Sequence, residues 1–292
     1  MLVTGASGFL GWNLCQEARD EWDIYGTVYS HSIEIERVKI IRIDLTDYKG
    51  LKKLFNEISP DAVIHTAAAA DPNYCQAHRA ESRKINLDAS IYIAGLCSDY
   101  KIPCIFTSTD SVFNGLNPPY KEDDPVSPIN IYGEHKALAE ERMLKQYPET
   151  AVCRMPLMFG LPSPASASFI QPMIKAMREG GELKLFTDEY RTPVSGKTAA
   201  GGLLLALEKV NGIIHLGGKE RISRYDFGKL VQNLLGLRKA MLTPCLQKDV
   251  VMPASRPPDL SLDSSKAVRL GYRQPALVDE LKALIAKKIL SS

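Results

Sequence analysis

Tyr132 and Lys136 stand four residues apart in Asn130-Ile131-Tyr132-Gly133-Glu134-His135-Lys136-Ala137-Leu138-Ala139-Glu140, a stretch that otherwise reads as the start of a helix. That spacing puts a phenol and an ammonium on one helical face. A free tyrosine titrates near pH ~10, too high to exchange protons readily at neutrality, but a cation held beside it favours the phenolate and lowers that value. The pair is therefore a candidate proton donor and acceptor. The same spacing also occurs in helices as a solvated aromatic-cation pair. Two earlier segments give it weight here: Thr4-Gly5-Ala6-Ser7-Gly8-Phe9-Leu10-Gly11 at the start, and Ser108-Thr109-Asp110 after an apolar run.

Gly5, Gly8 and Gly11 follow a short apolar strand and open a helical segment. Backbone N–H groups at such a helix start can meet a pyrophosphate, and glycine permits the close approach. Gly5, Ser7, Gly8, Phe9, Leu10 and Gly11 are the residues expected against it. The glycines are spaced three and three rather than two and three, so a glycine-rich turn without a ligand stays as the alternative. Dinucleotide sites that prefer NAD carry an acidic residue about 20 positions on. Here the second strand ends in Tyr29-Ser30-His31-Ser32, with no carboxylate. Ser30, His31 and Arg37 are candidate donors to a ribose phosphate, so the reading prefers NADP(H) over NAD(H). Asp44 and Leu45 are placed at the adenine edge, and Ala67, Ala68 and Ala69 where backbone must approach the cofactor.

The elements that must position these residues alternate between apolar runs and helical patterns, the signature of parallel strands joined by crossover helices. Strands are predicted at Leu2-Val3, Ile24-Tyr29, Val38-Ile43, Ala62-Thr66, Cys104-Ser108 and Ala151-Met155. Helices are predicted at Gly11-Asp20, Tyr48-Ile58, Glu81-Tyr100 and Tyr132-Gln146. The result is an α/β, doubly wound parallel sheet. Only three residues precede the glycine loop, which predicts a short or frayed first strand and a start set late. Residues 160–168 are small and aperiodic, the composition of a flap or connection. Beyond them, a strand is expected over Gly212-Gly218, a helix over Tyr225-Leu235 and a closing helix over Leu277-Leu290.

At 292 residues and 45% hydrophobic, the chain can bury a substantial core. Lys+Arg 36 against Asp+Glu 34 gives a net charge of +2 without a basic block, which argues against a nucleic-acid partner. No apolar stretch is long enough to span a bilayer, and the start leaves no room for a targeting leader. Six scattered cysteines lack zinc-site or redox spacing and read as buried thiols of a cytoplasmic protein; no metal is expected.

Together the glycine loop, Asp44-Leu45-Thr46-Asp47, His65-Thr66-Ala67-Ala68-Ala69, the segment Ser108 to Gly115 and the Tyr132/Lys136 pair resemble an extended short-chain dehydrogenase/reductase of the dTDP-4-dehydrorhamnose reductase (RmlD-like) family. Arg191-Thr192-Pro193 and Ser255 to Asp263 extend the resemblance along nearly the whole chain. It implies a Rossmann-type NADP-binding domain at 1–160 and 187–218, and a smaller substrate-binding domain at 161–186 and 219–292. It further implies a catalytic set carried onto Thr109, Tyr132 and Lys136, the last two also cofactor-binding with Lys136 on the nicotinamide ribose, and a sugar nucleotide as substrate, with a homodimer allowed. Asn86 matches an asparagine that supports the lysine through water; a helix-packing amide is the alternative. Leu157 stands where the reductases carry tryptophan, three residues after the arginine matched by Arg154, and Ser111 replaces an aromatic. Sugar-nucleotide dehydratases carry a glutamate at the position of Ser111, so reduction is favoured over dehydration. Epimerisation, and a regulatory role like that of the methionine adenosyltransferase β subunit, stay as alternatives. Asp71, Asn73, Tyr74 and Cys75 are expected at the crevice rim, Arg191 and Arg256 at a substrate diphosphate or in structural ion pairs, and His135 in solvent.

Overall fold

The computed structural model describes residues 1–287. Its centre is a seven-stranded, wholly parallel sheet. Six strands are β1 (Leu2–Thr4), β2 (Ile24–Val28), β3 (Val38–Arg42), β4 (Val63–His65), β5 (Cys104–Thr109) and β6 (Ala151–Met155); the seventh is Gly212–His215. Spatially they run Gly212–His215, β6, β5, β4, β1, β2, β3. The chain builds outward from β1 to β3, then crosses back to place β4 on the other side of β1. That reversal opens a crevice at the carboxyl ends of β1 and β4, where open α/β sheets take ligands. β1 is short, as expected, but not frayed, because Leu2, Val3 and Thr4 are all fully buried.

The crossover helices are α1 (Phe9–Ala18), α2 (Tyr48–Ile58), α3 (Pro72–Ala77), α4 (Arg79–Arg83), α5 (Ala89–Tyr100) and α6 (Ile131–Gln146). The expected helix Glu81-Tyr100 is α4 and α5 joined by a π-helical turn, Lys84–Asp88, and α3 lies in a segment read as loop. Two apolar layers cover the sheet. One packs Leu14, Ile24, Ile105 and Leu203 on one side; the other packs Phe55, Ile93, Phe106 and Met143. A third core, with Phe159, Ile174, Met177, Phe227 and Leu281, sits under the parallel strand pair Glu182–Phe186 and Met241–Cys245. The closing helix runs Leu277–Ala286; its predicted extension to Leu290 lies outside the described residues. Five cysteines are buried as read, whereas Cys245 is half-buried on the outer strand pair.

The last strands and α6 are locked by one buried ion pair. Arg154 on β6 faces Glu140 on α6 in a two-pronged contact, Nη2 to Oε2 at 2.8 Å and Nε to Oε1 at 3.1 Å. Only 2% and 5% of the two side chains are exposed. Ser108 on β5 donates to the same carboxylate. The fourth partner is His215, whose imidazole burial pushes down to about 3, helped by Arg154. It is therefore neutral. Because the Tyr120 carbonyl can only accept, Nδ1 carries the hydrogen at 3.1 Å, leaving Nε2 to accept from Arg154 Nη1 at 3.3 Å. Glu140→Ala, which strands the buried guanidinium, should lower unfolding free energy by about 3–5 kcal/mol, whereas pairing Glu140→Leu with Arg154→Met should recover part of that loss; urea unfolding of both variants checks it.

Candidate active site

At the crevice, Gly5 turns the chain from β1 into the helix with φ +75°, and a Cβ there would lie 2.7 Å from the Ala67 Cα. The ends of β1 and β4 are tied through His65, buried with its pKa lowered to about 3 by desolvation and then by Lys136. Ser90 Oγ donates to the Asn86 carbonyl at 2.9 Å and so accepts from His65 Nε2 at 3.1 Å. Nδ1 then accepts from Thr4 Oγ1 at 2.6 Å, and that oxygen receives the Ala67 N–H at 3.3 Å. Every polar atom of this relay has a defined direction, which fixes the two strand ends relative to one another.

A cavity of about 380 Å³ opens above them, lined by Gly5, Ser7, Gly8, Ser30, Asp44, Leu45 and Ala67 to Ala69, among others. Its small-residue floor and exposed backbone suit a dinucleotide. Phe9, Leu10, Gly11 and His31 are not in its lining: Leu10 and Gly11 are buried in α1, and His31 is exposed beside Ser30 at 2.9 Å. Arg37, expected as a phosphate donor, instead pairs with Asp20 at 2.7 Å. A larger cavity, about 640 Å³, lies across the molecule between α1 and the closing helix and contains none of the candidate residues.

Thr109, Tyr132 and Lys136 gather at the next step along the same sheet edge, where β5 ends and α6 begins. Asn130 caps α6, its Oδ1 accepting from Gly133 N at 2.9 Å. A Cβ on Gly133 would stand 2.1 Å from the Ser111 carbonyl, so only glycine lets the helix start come down onto the segment that carries Thr109. The four-residue spacing predicts that the ammonium lowers the phenol's pKa. The structure corrects this. Burial pushes the Tyr132 phenol above its usual range, the Thr109 hydroxyl beside it pulls the other way, and Asp110 adds to the rise. Lys136, 1% exposed with Nζ 4.0 Å above the Phe106 ring, is itself driven down to about 7 by desolvation, against the pull of Glu140 and Cys75. Desolvation is thus the largest influence on both groups.

Asn86 uses its amide on the chain: Oδ1 accepts from Ala69 N at 2.8 Å and Nδ2 donates to Ala69 O at 3.0 Å. That is the packing role, made possible by the π-turn. Asp71 caps α3, Tyr74 stacks on His78 at 4.4 Å, and Cys75 is fully buried rather than on a rim, its thiol facing Ala69 O. Asn73 and Asn130 hold the segment arriving from the C-terminal part, through Ala254 N at 3.2 Å and Ser255 O at 3.0 Å. His135 is 2% exposed and packs toward Ser82, which corrects its placement in solvent. Arg191 is buried against Glu189 at 3.5 Å and Asp110 at 3.8 Å, a structural ion-pair position, while Arg256 is half-exposed. The flap is pinned shut on the glycine loop by Ser163, which donates to the Ser7 carbonyl at 2.6 Å, a contact the small-residue composition did not signal.

The chain matches the family described as RmlD substrate binding domain over residues 1–289. A probable low-salt glycan biosynthesis reductase of Haloferax volcanii is 30% identical over 290 residues, covering 97% of this chain and 96% of that protein. The methionine adenosyltransferase 2 subunit beta of Danio rerio is 27% identical, covering 93% and 84%. A crystal structure of a hypothetical dTDP-4-dehydrorhamnose reductase from Sulfolobus tokodaii superposes with TM-score 0.84 at 31% identity, covering 96% and 98%.

Lys136 also generates a stability prediction. The folded protein holds this proton less tightly than the unfolded chain, so its cost is full below about pH 7 and fades as pH rises toward 10.5. Lys136→Met should therefore raise the urea midpoint most at pH 6, with the advantage shrinking between pH 7 and 10.

Proposed function

Because the chain belongs to the RmlD substrate binding domain family, within the extended short-chain dehydrogenase/reductases, we propose that it is an NADP(H)-preferring reductase of a keto sugar nucleotide. The observation that supports this most is the meeting of Thr109 at the end of β5 with Tyr132 in the first turn of α6, on the same sheet edge as the crevice over the glycine loop. A bound reduced nicotinamide dinucleotide supplies the hydride. Gly5, Ser7, Gly8 and Ala67 to Ala69 would hold it against the sheet edge, with Ser30 near the ribose and Asp44 and Leu45 at the adenine.

Tyr132 acts as the acid. Its raised pKa keeps the phenol protonated at neutrality, the form needed to give a proton to the alkoxide that develops when a ketone is reduced. Thr109 donates a hydrogen bond to the same oxygen. Lys136, one turn along, would hold the cofactor's nicotinamide ribose and, in its charged form, would ease the phenol's loss of its proton. Ser111 carries no carboxylate to take a carbon-bound proton, so reduction rather than dehydration is the reaction. The missing carboxylate after β2 favours the phosphorylated cofactor.

Similarity to the methionine adenosyltransferase 2 subunit beta over 93% of this chain and 84% of that protein supports a second reading, a scaffold that binds a partner enzyme. Ketone-dependent NADPH oxidation over a panel of keto sugar nucleotides, run beside a pull-down, separates them: turnover supports the reductase, and one stoichiometric partner without turnover supports the scaffold. Tyr132→Phe should cost about 10²–10⁴-fold in kcat and leave the NADPH dissociation constant unchanged. Tighter binding of NADH than NADPH would overturn the cofactor preference.

A further inference from the structure

Asp110 is 5% exposed and joins two parts of the site that lie far apart in the chain. On its own segment, Oδ1 accepts from the Thr109 hydroxyl at 3.2 Å and from the Ser111 hydroxyl at 3.3 Å. From the strand Tyr190–Arg191, the Arg191 guanidinium brings Nε to 3.8 Å from Oδ2. That is beyond hydrogen-bond length, and Oδ2 is a buried oxygen without a hydrogen-bond partner. Arg191 cannot swing closer, because Glu189, the Tyr190 carbonyl at 2.6 Å and the Pro257 carbonyl at 3.2 Å hold it. The remaining charged or titratable neighbours are Glu189 itself and, on α6, the Tyr132 phenol.

An ionised carboxylate buried with an idle oxygen is costly, and packing alone does not call for one. What the arrangement does control is a hydrogen. While Asp110 is ionised, the Thr109 hydroxyl gives its hydrogen to Oδ1 and has none for a substrate. Resting on the keto-reductase reading above, we propose that Asp110 is a positioning residue: once protonated it donates to Thr109 Oγ1, so that the threonine turns its own hydrogen toward the substrate carbonyl. No bond to carbon is made or broken in this step; one proton binds Asp110 and one hydroxyl rotates. Burial raises the Asp110 carboxyl to about 6, opposed by Arg191 and the two hydroxyls, so both states are populated close to neutrality. Ionised Asp110 also holds up the phenol of Tyr132, and its protonation lets that proton leave more easily.

Asp110→Asn keeps the shape and removes the exchangeable proton. Wild-type kcat for ketone reduction should fall as pH rises through about 6, whereas the asparagine amide donates to Thr109 Oγ1 at every pH, so this variant should lack that inflection and exceed wild type about ten-fold or more at pH 8; Asp110→Leu, which cannot donate, should lose about ten-fold or more at pH 6, with NADPH affinity close to wild type in both. A variant whose kcat and pH profile superimpose on wild type overturns the proposal, as does a loss of rate matched by equal losses of NADPH binding and stability. A second measurement does not depend on turnover: carbon-13 NMR titration of the Asp110 carboxyl in wild type and in Thr109→Val. Removing the donating hydroxyl should move the midpoint upward; an unmoved midpoint overturns the proposal. A coupled titration in a protein that reduces no ketone would support the Asp110–Thr109 link and count against the reductase reading alone.

Discussion

The buried contact between Glu140 and Arg154 sets the geometry on which the candidate site depends. Glu140 lies one turn beyond Lys136 on α6, Arg154 lies near the carboxyl end of β6, and Ser108 on β5 donates to the shared carboxylate. A helix packed only by apolar contacts could slide along the sheet by a fraction of a turn at little cost. A two-pronged guanidinium–carboxylate contact tolerates no such slip, because either partner left alone in the interior loses far more than a packing contact is worth. The position of Tyr132 near the end of β5 follows from this lock in the middle of α6 and from the Asn130 cap at its start.

Desolvation is the second organising force. Lys136, His65 and His215 are all pushed toward their neutral forms by burial, and the Tyr132 phenol is pushed the same way. Along α6 burial therefore favours the neutral forms of Tyr132 and Lys136, while the buried charge is confined to the paired Glu140. The sheet reversal between β1 and β4 supplies the crevice, and the His65 relay holds its two walls at fixed separation.

Much of this was legible in the chain. Alternating apolar and helical segments located the six labelled strands to within a residue or two, because parallel strands buried on both faces leave continuous apolar runs. Tyr132 and Lys136 stood out by type and spacing, and Thr109 joined them through the family resemblance. What could not be read is whatever depends on the third dimension. His135 shares a helix with exposed residues, and only the packing of α4 against α6 shows that it faces inward. Arg37 looked free until Asp20 proved to be its neighbour, and α3 is too short to show a period. The burial that raises the Tyr132 phenol is likewise a property of the folded surroundings, which no spacing encodes.

Asn130 serves two masters. Its oxygen caps α6, while its amide nitrogen holds the Ser255 carbonyl of a segment arriving from the far end of the chain. Anyone building a chimera, with the C-terminal third taken from a relative of different specificity, would be altering the seat of the tyrosine as well as the pocket. A graft that ignores position 130 imports a foreign backbone onto a native cap, and loss of activity in such a hybrid would speak of a broken seam rather than of an unsuitable substrate.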